Sequence, residues 1–417
     1  MSLPHHILYL TYAFPPSPYV GARRHTGLCQ ALSSQVDRLS IWTGNPHPDV
    51  NFPVYSVQYL RHFDVPRFIK PKPGYSAAQG KPGKAVSWLI KLKNSIPFSI
   101  FLGLGGPWYV LQAYWKFNRI PKADKPDTLI TSFYPLSDLL AGYLIKRTHP
   151  QVRWVADFRD LPVDMAKNQV LWPQWTQLFF KHLLRFADQV TAVSGGLLTQ
   201  LPIRPERSYV LYNGLEKEKI QENPNHPAEK FTISYTGSVY IGLQESRILW
   251  QVLDQLIKNG KMEAEKIEVH YAGPQSTLWR NWLSDYKTIP FYDHGYQTAL
   301  AVRKLQFSSQ INLLLTWSTR ESKGIMTTKL FEYLAAQRPI LALIKGEYDV
   351  EVANVIEQIN GGKCFSTMDS ALIHSLEKWI LNAYDQWKKD GFLPSKSNSA
   401  NVAMYDWNHL IKEWLNP

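Results

Sequence analysis

The chain has 417 residues, more than one hydrophobic core usually organises, so two domains of about 200 residues are expected. Hydrophobic residues make up 45% and charged residues 19%, a balance that excludes a disordered chain. The net charge of +12 and the 15 Trp, 22 Tyr and 18 Phe favour contact with anionic lipid, a membrane interface or a sugar-phosphate ligand. The basic residues are scattered and form no nucleic-acid-binding motif, which argues against a nucleic-acid partner.

The cysteine content and the amino terminus indicate the compartment. Cys29 and Cys364 have neither metal-type spacing nor a pattern of paired cysteines, which favours a reducing environment. The first residues, MSLPHHILYLTYAFPP, lack a basic leader followed by a long apolar region, so no signal peptide is expected. A cytoplasmic location is therefore predicted.

The first residues predict the opening of a Rossmann-like domain. Residues 7–10 form an apolar strand, residues 12–19 a proline-rich turn, and Leu28 and Leu32 lie on one face of a helix. Gly21 allows close backbone approach at the start of this helix, and Arg23 or Arg24 could meet a phosphate. The alternative is that both arginines are ordinary surface residues.

A basic stretch at 61–95 precedes twenty residues without a charge, IPFSIFLGLGGPWYVLQAYW at 96–115. This apolar segment has the length of a membrane span, but prolines and glycines interrupt it. The pattern favours a loop and an apolar helix over 96–118 that docks in the protein or lies at the membrane surface.

Charged side chains follow a second predicted strand of the first domain. Residues 152–156 form a buried run, and Asp157, Arg159 and Asp160 stand at its end. Such a group could orient acceptor hydroxyls or assist proton movement, so these three residues are the predicted catalytic residues. The alternative is an internal ion pair in which Arg159 braces Asp157 or Asp160.

Composition changes at 216–230, EKEKIQENPNHPAEK, which is typical of a linker between a first domain at 1–215 and a second at 231–395. In the second domain, Gly237 and Ser238 follow a strand at 231–235 and resemble residues that admit a diphosphate. Arg247 would supply a counter-charge. His294 and Gly295 precede a helix through Leu300, Val302 and Leu305, and the lone histidines His270 and His294 are read as structural.

A strand-loop-helix-strand unit at 311–344 is the strongest signal for a ligand site. Thr327 or Thr328 would cap a helix that carries Lys329 and Glu332 in its first turn and ends before Pro339. Phosphate is favoured where a strand ends and a helix begins. The alternative is a glutamate that complements the helix dipole and a solvated lysine.

The last segment, 396–417, predicts an amphipathic helix that packs back on the first domain. Neither metal-ligand spacing nor a Ser-His-Asp arrangement is legible in the sequence, so no metal is expected.

These pieces together resemble the retaining glycosyltransferases of family 4, which have the GT-B fold of two Rossmann-like doubly wound α/β domains facing a central cleft. The resemblance covers nearly the whole chain and rests on ordered motifs: the proline-rich loop with Gly21 and Arg24, VADFRD at 155–160, YNG at 212–214, YTGS at 235–238, YAG at 271–273 and KLFEYLAAQRPIL at 329–341. The DFRD version is similar to transferases that build bacterial surface polysaccharides and lipid-linked glycans.

The resemblance implies a hexosyltransferase that moves a sugar from a nucleoside diphosphate sugar, such as a UDP-sugar, to a glycan or lipid-linked acceptor without a metal. Glu332 would hold the ribose hydroxyls, and the amides of Thr327 and Thr328 would meet the diphosphate. Helping residues would be Gly237, Ser238, Arg247 and Lys329 at the donor, His294 and Gly295 near the base, Gly21 and Arg24 near the phosphates, and Asp157 or Asp160 near the acceptor.

One position departs from the family pattern. Many members carry a glutamate eight residues before the equivalent of Glu332, near the donor sugar, and this chain has Gly324 there, with Glu321 out of register. Two other functions with this fold stay open, a sugar-nucleotide epimerase and a catalytically idle binding protein. For the transferase, the expected location is peripheral, on the inner face of the cytoplasmic membrane and in contact with anionic lipid.

Overall fold

The computed structural model describes residues 4–15, 21–44, 56–61, 84–165, 168–203, 205–220, 225–394, 396–397 and 399–416. The proline-rich turn expected at 12–19 and the basic stretch expected at 61–95 fall partly outside these ranges. The described chain divides into two compact units. The first holds residues up to Gly214 and from Trp407 onward, and the second holds Leu215 to Asp406.

The first unit is built on a 7-stranded parallel sheet of order β3-β2-β1-β4-β5-β6-β7. Its strands are β1 (His6–Thr11), β2 (Arg38–Thr43), β3 (Ser56–Tyr59), β4 (Thr128–Phe133), β5 (Arg153–Phe158), β6 (Gln189–Ala192) and β7 (Ser208–Val210). Its helices are α1 (Gly21–Ser33), α2 (Lys84–Asn94), α3 (Phe98–Leu102), α4 (Gly106–Asn118), α5 (Leu136–Thr148), α6 (Pro173–Leu184) and α7 (Gly195–Leu198).

Both faces of this sheet are buried, which explains the unbroken apolar runs of its central strands. In β1, Leu8 and Leu10 pack into a core that includes residues of α4, α5 and α6. The alternate residues Ile7 and Tyr9 pack on the other face, in a core with Leu28 of α1. A parallel sheet with helices on both faces is the doubly wound architecture that the sequence predicted.

The second unit has a 6-stranded parallel sheet of order β10-β9-β8-β11-β12-β13. Its strands are β8 (Phe231–Thr236), β9 (Ile267–Ala272), β10 (Phe291–Asp293), β11 (Ile311–Ser318), β12 (Ile340–Gly346) and β13 (Gly362–Ser366). Its helices are α8 (Arg247–Lys258), α9 (Ser276–Leu283), α10 (Ala299–Ser308), α11 (Thr328–Ala336), α12 (Val350–Glu357), α13 (Leu372–Asp390) and α14 (Ser399–Val402).

Strand order reverses once in each sheet, beside β1 in the first and beside β8 in the second. In open α/β sheets, ligands bind outside the carboxyl ends of the strands at this reversal. In the second unit, the strands that flank the reversal are β8 and β11. A ligand site is therefore expected in the loops that follow these two strands.

The terminal helix α15 (Trp407–Leu415) belongs to the first unit, where Ile411 and Trp414 are buried in the core beside α1. The second unit extends to Asp406, and the chain returns to the first unit at Trp407. The described residues of the predicted linker, 216–220 and 225–230, also belong to that unit. The start of this segment lies beside the end of the unit, since Leu215 forms a parallel bridge with Asp406 and Lys217 N donates to Asp406 Oδ1.

The apolar segment 96–118 forms α3 and α4, and Gly105 before α4 and Gly106 at its start both have positive φ. One face of α4 is buried through Tyr109, Ala113 and Phe117. Its opposite face leaves large apolar side chains in solvent. Within the described ranges, no helix has the length and apolarity needed to cross a membrane.

Candidate functional site

Lys329 reaches across the reversal point of the second sheet. Its side chain projects from the first turn of α11, and its Nζ donates to Tyr235 Oη at 2.6 Å and to the Ser238 carbonyl at 2.6 Å. The amine also lies 4.5 Å from the centroid of the Tyr235 ring. Burial lowers the pKa of Lys329 to about 7, although Glu332 acts in the opposite direction. This cation is therefore poorly compensated in the free protein, which suits it to an anionic ligand.

Gly237 makes the approach of Lys329 possible. A Cβ atom at residue 237 would lie 2.7 Å from Lys329 Cε, and Gly237 has φ of +94°, a region that favours glycine. The loop that carries it is fixed by the buried side chain of Gln275, which accepts from Val239 N at 2.7 Å and donates back to Val239 O at 2.7 Å. The predicted pair Gly237 and Ser238 thus lies directly beside Lys329.

Glu332 is oriented by a buried polar network. Gln306 Nε2 donates to Glu332 Oε2 at 3.3 Å and to Thr236 Oγ1 at 2.9 Å. The Gln306 carbonyl accepts from Asn312 Nδ2 at 3.1 Å, and Asn312 Oδ1 accepts from Ser234 Oγ at 3.1 Å. The chain of bonds runs from the middle of β8 and the start of β11 to the carboxylate, so Glu332 presents a positioned acceptor rather than a solvated surface charge.

The amino terminus of α11 carries unsatisfied polar groups. Thr327 is the N-cap residue, yet its side chain makes no capping hydrogen bond. Within the described part of the chain, several buried hydroxyls in the loop before α11 have no hydrogen-bond partner: Ser318, Thr319, Ser322 and Thr327. Buried hydroxyls are normally paired, and a helix amino terminus favours an anion, so this loop has the properties of a ligand-binding loop.

Gly324 lies in the same loop with φ of +65°, a conformation that costs a glutamate side chain free energy. Its amide donates to Asp349 Oδ2 at 2.7 Å, while Asp349 Oδ1 caps α12. Glu321, the out-of-register alternative, is exposed. The loop backbone is therefore held in place, and Gly324 itself offers no side chain to a sugar.

His294 and Gly295 belong to a separate cluster at the ends of β9 and β10. His294 Nε2 lies 2.8 Å from His270 Nδ1, and His270 Nε2 lies 3.0 Å from Glu268 Oε2. Burial lowers the pKa of His270, and Glu268 partly offsets this. Gly295 has φ of +63° and donates its amide to Asp293 Oδ1 at 3.0 Å. The two histidines that the sequence presented as isolated thus contact one another.

Arg247 begins α8, but its side chain is 62% exposed and its Nε lies 3.8 Å from Glu245. It is therefore not drawn into the Lys329 cluster, contrary to the expectation that it supplies a counter-charge at the diphosphate.

Arg24 and Asp157 bind one another inside the first domain. Both side chains are buried, with Arg24 Nη2 2.7 Å from Asp157 Oδ1. All five guanidinium hydrogens are used, because Arg24 also donates to the carbonyls of Leu211 and Tyr212 and to Asn213 Oδ1. Burial alone would raise the pKa of Asp157, but Arg24 and a hydrogen bond from Thr191 hold that pKa below its usual value. This is an internal ion pair, although its arginine is Arg24 and not Arg159.

Arg159 and Asp160 remain accessible at the carboxyl end of β5. Arg159 Nε lies 3.0 Å from Asp160 Oδ2, and Asp160 is 46% exposed at its side chain. The Arg159 guanidinium packs against Gly21 at the start of α1, where a Cβ atom would clash with it. Beneath them, burial and the nearby Arg159 lower the pKa of His25 to about 3, so this histidine is neutral. The structure thus brings Gly21, Arg159 and Asp160 together.

Several site residues were missed by sequence reasoning. Gln306 of α10 is buried, whereas Leu300, one of the apolar residues from which this helix was predicted, is 64% exposed. Tyr235 was assigned to a strand and to the YTGS motif without a role of its own, although its hydroxyl contacts Lys329 and also donates to the Ser238 carbonyl at 2.8 Å. A glutamine inside a helix gives no signal of its own, since only the position of β8 beside β11 makes it a neighbour of Glu332.

Among the residues that the structure describes, no three His, Cys, Asp or Glu side chains gather as a metal site would require.

No protein-family model matches the sequence, and no curated protein matches it. Solved structures match over nearly the whole chain. A glycosyltransferase from Rickettsia africae ESF-5 has a TM-score of 0.61 at 12% identity, covering 99% of this chain and 97% of that chain. Trehalose-6-phosphate synthase OtsA has a TM-score of 0.61 at 10% identity, covering 99% and 98%. The apo form of the lipopolysaccharide outer core galactosyltransferase WaaB has a TM-score of 0.55 at 11% identity, covering 99% and 98%. Together with the two parallel sheets, this likeness confirms the expected fold, GT-B with two Rossmann-like doubly wound domains.

Proposed function

We propose that this protein is a retaining glycosyltransferase of the family 4 type. It transfers a sugar from a nucleoside diphosphate sugar, most simply a UDP-sugar, to a hydroxyl of a glycan or lipid-linked acceptor. The observation that carries the proposal is the arrangement at the reversal point of the second sheet. There a partly buried, poorly compensated Lys329 stands in the first turn of α11, close to an unpartnered Thr327 hydroxyl.

In this proposal, Lys329 and the first amides of α11 bind the donor diphosphate. Sugar transfer leaves a nucleoside diphosphate with an additional negative charge, so groups that stabilise this charge lower the barrier. A fixed ammonium and a helix dipole supply such stabilisation without a metal. The glycine at 237 lets the diphosphate approach the backbone of the loop after β8.

Glu332 accepts hydrogen bonds from the donor ribose. Gln306 donates to one oxygen of its carboxylate and so positions it, and a carboxylate is the kind of acceptor that ribose hydroxyls require. The exposed cluster of His294 and Gly295 is proposed to flank the base. Since Gly324 offers no side chain to the donor sugar, the sugar is recognised by loop backbone or by Glu321.

The first domain would bind the acceptor. Asp160 is the remaining accessible carboxylate at the end of β5, and Arg159 beside Gly21 provides a positive group there. A lipid-linked or surface glycan acceptor is favoured by the fold likeness to WaaB, an outer core galactosyltransferase. Such an acceptor places the enzyme in the cytoplasm at the inner face of the membrane.

A nucleotide screen tests the donor site first. The melting temperature is measured with UDP, GDP, ADP and their common sugar conjugates, because a ligand that binds only the folded state raises it. Glu332→Gln is expected to lower the affinity for the nucleotide that raises the melting temperature by roughly 10–100-fold, because it removes hydrogen bonds to a charged group. The exposed Glu413→Gln serves as the matched control.

Deoxyribose analogues of the nucleotide make the assignment sharper. If Glu332 holds the ribose, removal of a ribose hydroxyl and Glu332→Gln will not be additive. Additive losses would contradict the assigned role. Transfer to glycan or lipid-linked acceptors is then assayed with the donor identified. Binding without turnover would instead indicate an idle binding protein, and acceptor-independent interconversion of the sugar would indicate an epimerase.

A further inference from the structure

The first domain exposes large apolar side chains on neighbouring helices. Trp88 of α2 is 52% exposed, Trp108 and Trp115 of α4 are 48% and 45% exposed, and Trp175 of α6 is 71% exposed. Single apolar residues at a surface are ordinary, but a group of tryptophans marks an interaction surface.

Direct contacts connect these helices. The ring of Phe98 in α3 stacks on the ring of Trp172, with 6.4 Å between their centroids. Trp172 directly precedes α6. Leu171 N donates to Ser95 Oγ at 2.8 Å, which ties the segment before α6 to the junction of α2 and α3. On α4, Trp108 and Trp115 are two turns apart and meet edge to face at 5.7 Å. We call this the apolar face and define it by Trp88, Phe101, Trp108, Trp115, Trp175 and Leu178.

The fold itself does not require these side chains to be apolar. The core-facing side of α4 is filled by Tyr109, Ala113 and Phe117, and that of α6 by Phe180 and Leu183. The apolar face projects from the opposite sides of the same helices. Its composition therefore reflects a contact outside the domain core.

The two segments of the chain that carry the apolar face have charges of one sign. Residues 84–123 contain no Asp or Glu and include Lys91, Lys93 and Arg119, and residues 165–187 contain no Asp or Glu and include Lys181 and Arg185. Surfaces for protein partners usually carry both signs interspersed at their rim. A rim of cations alone is complementary to a surface that is uniformly anionic.

We propose that the apolar face binds the surface of an anionic lipid bilayer. Tryptophan rings settle at the level of the headgroups, where one edge is apolar and the other is hydrated. The stems of Lys91 and Lys93 lie along the apolar layer while their amines meet lipid phosphates. The protein thus rests on the membrane through α2, α3, α4 and the start of α6. Vesicle binding requires neither donor nor acceptor, so it stands or falls separately from sugar transfer.

Flotation with vesicles of stated composition tests this contact. The full-length protein is mixed with vesicles of phosphatidylcholine alone or of phosphatidylcholine with phosphatidylglycerol, at low and high salt. Binding is expected with the anionic vesicles and is expected to weaken with salt. The triple variant Trp108→Ser, Trp115→Ser, Trp175→Ser should reduce partitioning by about tenfold or more, because it removes apolar contact with the bilayer.

Matched controls remove similar side chains elsewhere. The triple variant Val350→Ser, Met368→Ser, Ile373→Ser deletes side chains that are 62%, 71% and 42% exposed on the second domain, and it should bind vesicles like the wild type. The double variant Lys91→Gln, Lys93→Gln should weaken binding to the anionic vesicles by roughly tenfold or more. The double variant Lys287→Gln, Lys389→Gln removes the same amount of charge from the second domain. It should weaken vesicle binding much less.

Three results would overturn the proposal. One is equal binding of the wild type to neutral and anionic vesicles. Another is equal vesicle binding by the triple tryptophan variant of the first domain and the triple serine control variant of the second domain. The last is failure to bind any vesicle combined with self-association that the tryptophan variant abolishes, since the face would then be an interface between copies of the chain. Unchanged circular dichroism and melting temperature of each variant exclude unfolding as the cause.

Discussion

The environment of a single amine gives the candidate donor site its electrostatic character. Lys329 is enclosed by Tyr235, the Ser238 carbonyl and Gly237, neutral groups that stabilise the ammonium less well than water does. The nearby carboxylate of Glu332 offsets only part of this loss. A diphosphate would supply the missing counter-charge. Ligand binding and protonation of this lysine are therefore expected to be linked.

This linkage predicts that donor affinity falls as the pH rises above 7. The pKa of Lys329 in the free protein is about 7, and a bound diphosphate would raise it, so binding takes up a proton above that pH. Below pH 7 the lysine is already charged and affinity should be flat; above it the affinity should fall by up to about tenfold per pH unit. A nucleoside diphosphate sugar is the ligand to titrate, because it lacks the terminal phosphate whose second pKa is near 6.

Calorimetry in buffers of different ionisation enthalpy measures the proton uptake directly. Lys329→Met should bind weakly at every pH with no slope, and Lys329→Arg should keep its affinity at high pH because a guanidinium stays charged. The same slope in Lys329→Met and wild type would assign the titration to another group.

At the scale of elements, Arg24 joins three parts of the first domain. It projects from α1, pairs with Asp157 on β5 and binds the carbonyls of Leu211 and Tyr212 after β7. Asp157 also accepts from Ser132 of β4 at 3.0 Å. Loss of one partner leaves a buried charge without its counter-charge, which is far more costly than loss of an exposed pair.

Arg24→Met is accordingly expected to destabilise the first domain by about 3–5 kcal/mol. The exposed pair of Arg38 and Asp124, more than half exposed at both side chains, provides the control, and Arg38→Met should cost less than about 1 kcal/mol. The double variant Arg24→Met, Asp157→Asn should lose less than the sum of its single changes, since it removes both charges.

Urea unfolding of the full chain measures these differences, and hydrogen exchange of β5 peptides assigns them to the first domain. The folded-state pKa of Asp157 is depressed, so the stability from its ionisation is present at neutral pH and is lost as the pH falls through that depressed value. Equal costs for Arg24→Met and Arg38→Met would refute the structural role of the buried pair.

At the scale of the whole molecule, the first domain depends on the last residues of the chain. Trp407 packs against Gly27 of α1 and against Gly214, and the Arg24 guanidinium lies 5.7 Å from its ring centroid. A chain that stops after Asp406 would uncover the apolar surface of α1. Amide exchange in α1 and β1 should then accelerate markedly, while exchange in β11 and β12 of the second domain stays unchanged. Unaltered exchange in α1 would show that α15 contributes little to stability.

Much of this architecture was predictable from local pattern. Buried parallel strands are continuous apolar runs, so β1, β5, β8, β11 and β12 were legible, as was the helix that carries Lys329 and Glu332. The residues that contact the site side chains could not be predicted from the sequence. Asp157 meets an arginine 133 positions away, and Glu332 meets a glutamine from α10, because strand order rather than sequence distance makes them neighbours. The long helix α13 was missed as well.

The two passages of the chain between its domains lie side by side. Leu215 N donates to the Tyr405 carbonyl at 2.9 Å, and Lys217 N donates to Asp406 Oδ1 at 3.1 Å, so the first and last residues of the second domain are hydrogen-bonded neighbours. The second domain is thus an insert within a host whose own sequence is interrupted. During synthesis the host must wait for α15, which is translated after the insert, whereas the insert is by then complete. An insert with adjoining ends can also be excised as one continuous polypeptide, leaving a host that is closed by joining Gly214 to Trp407.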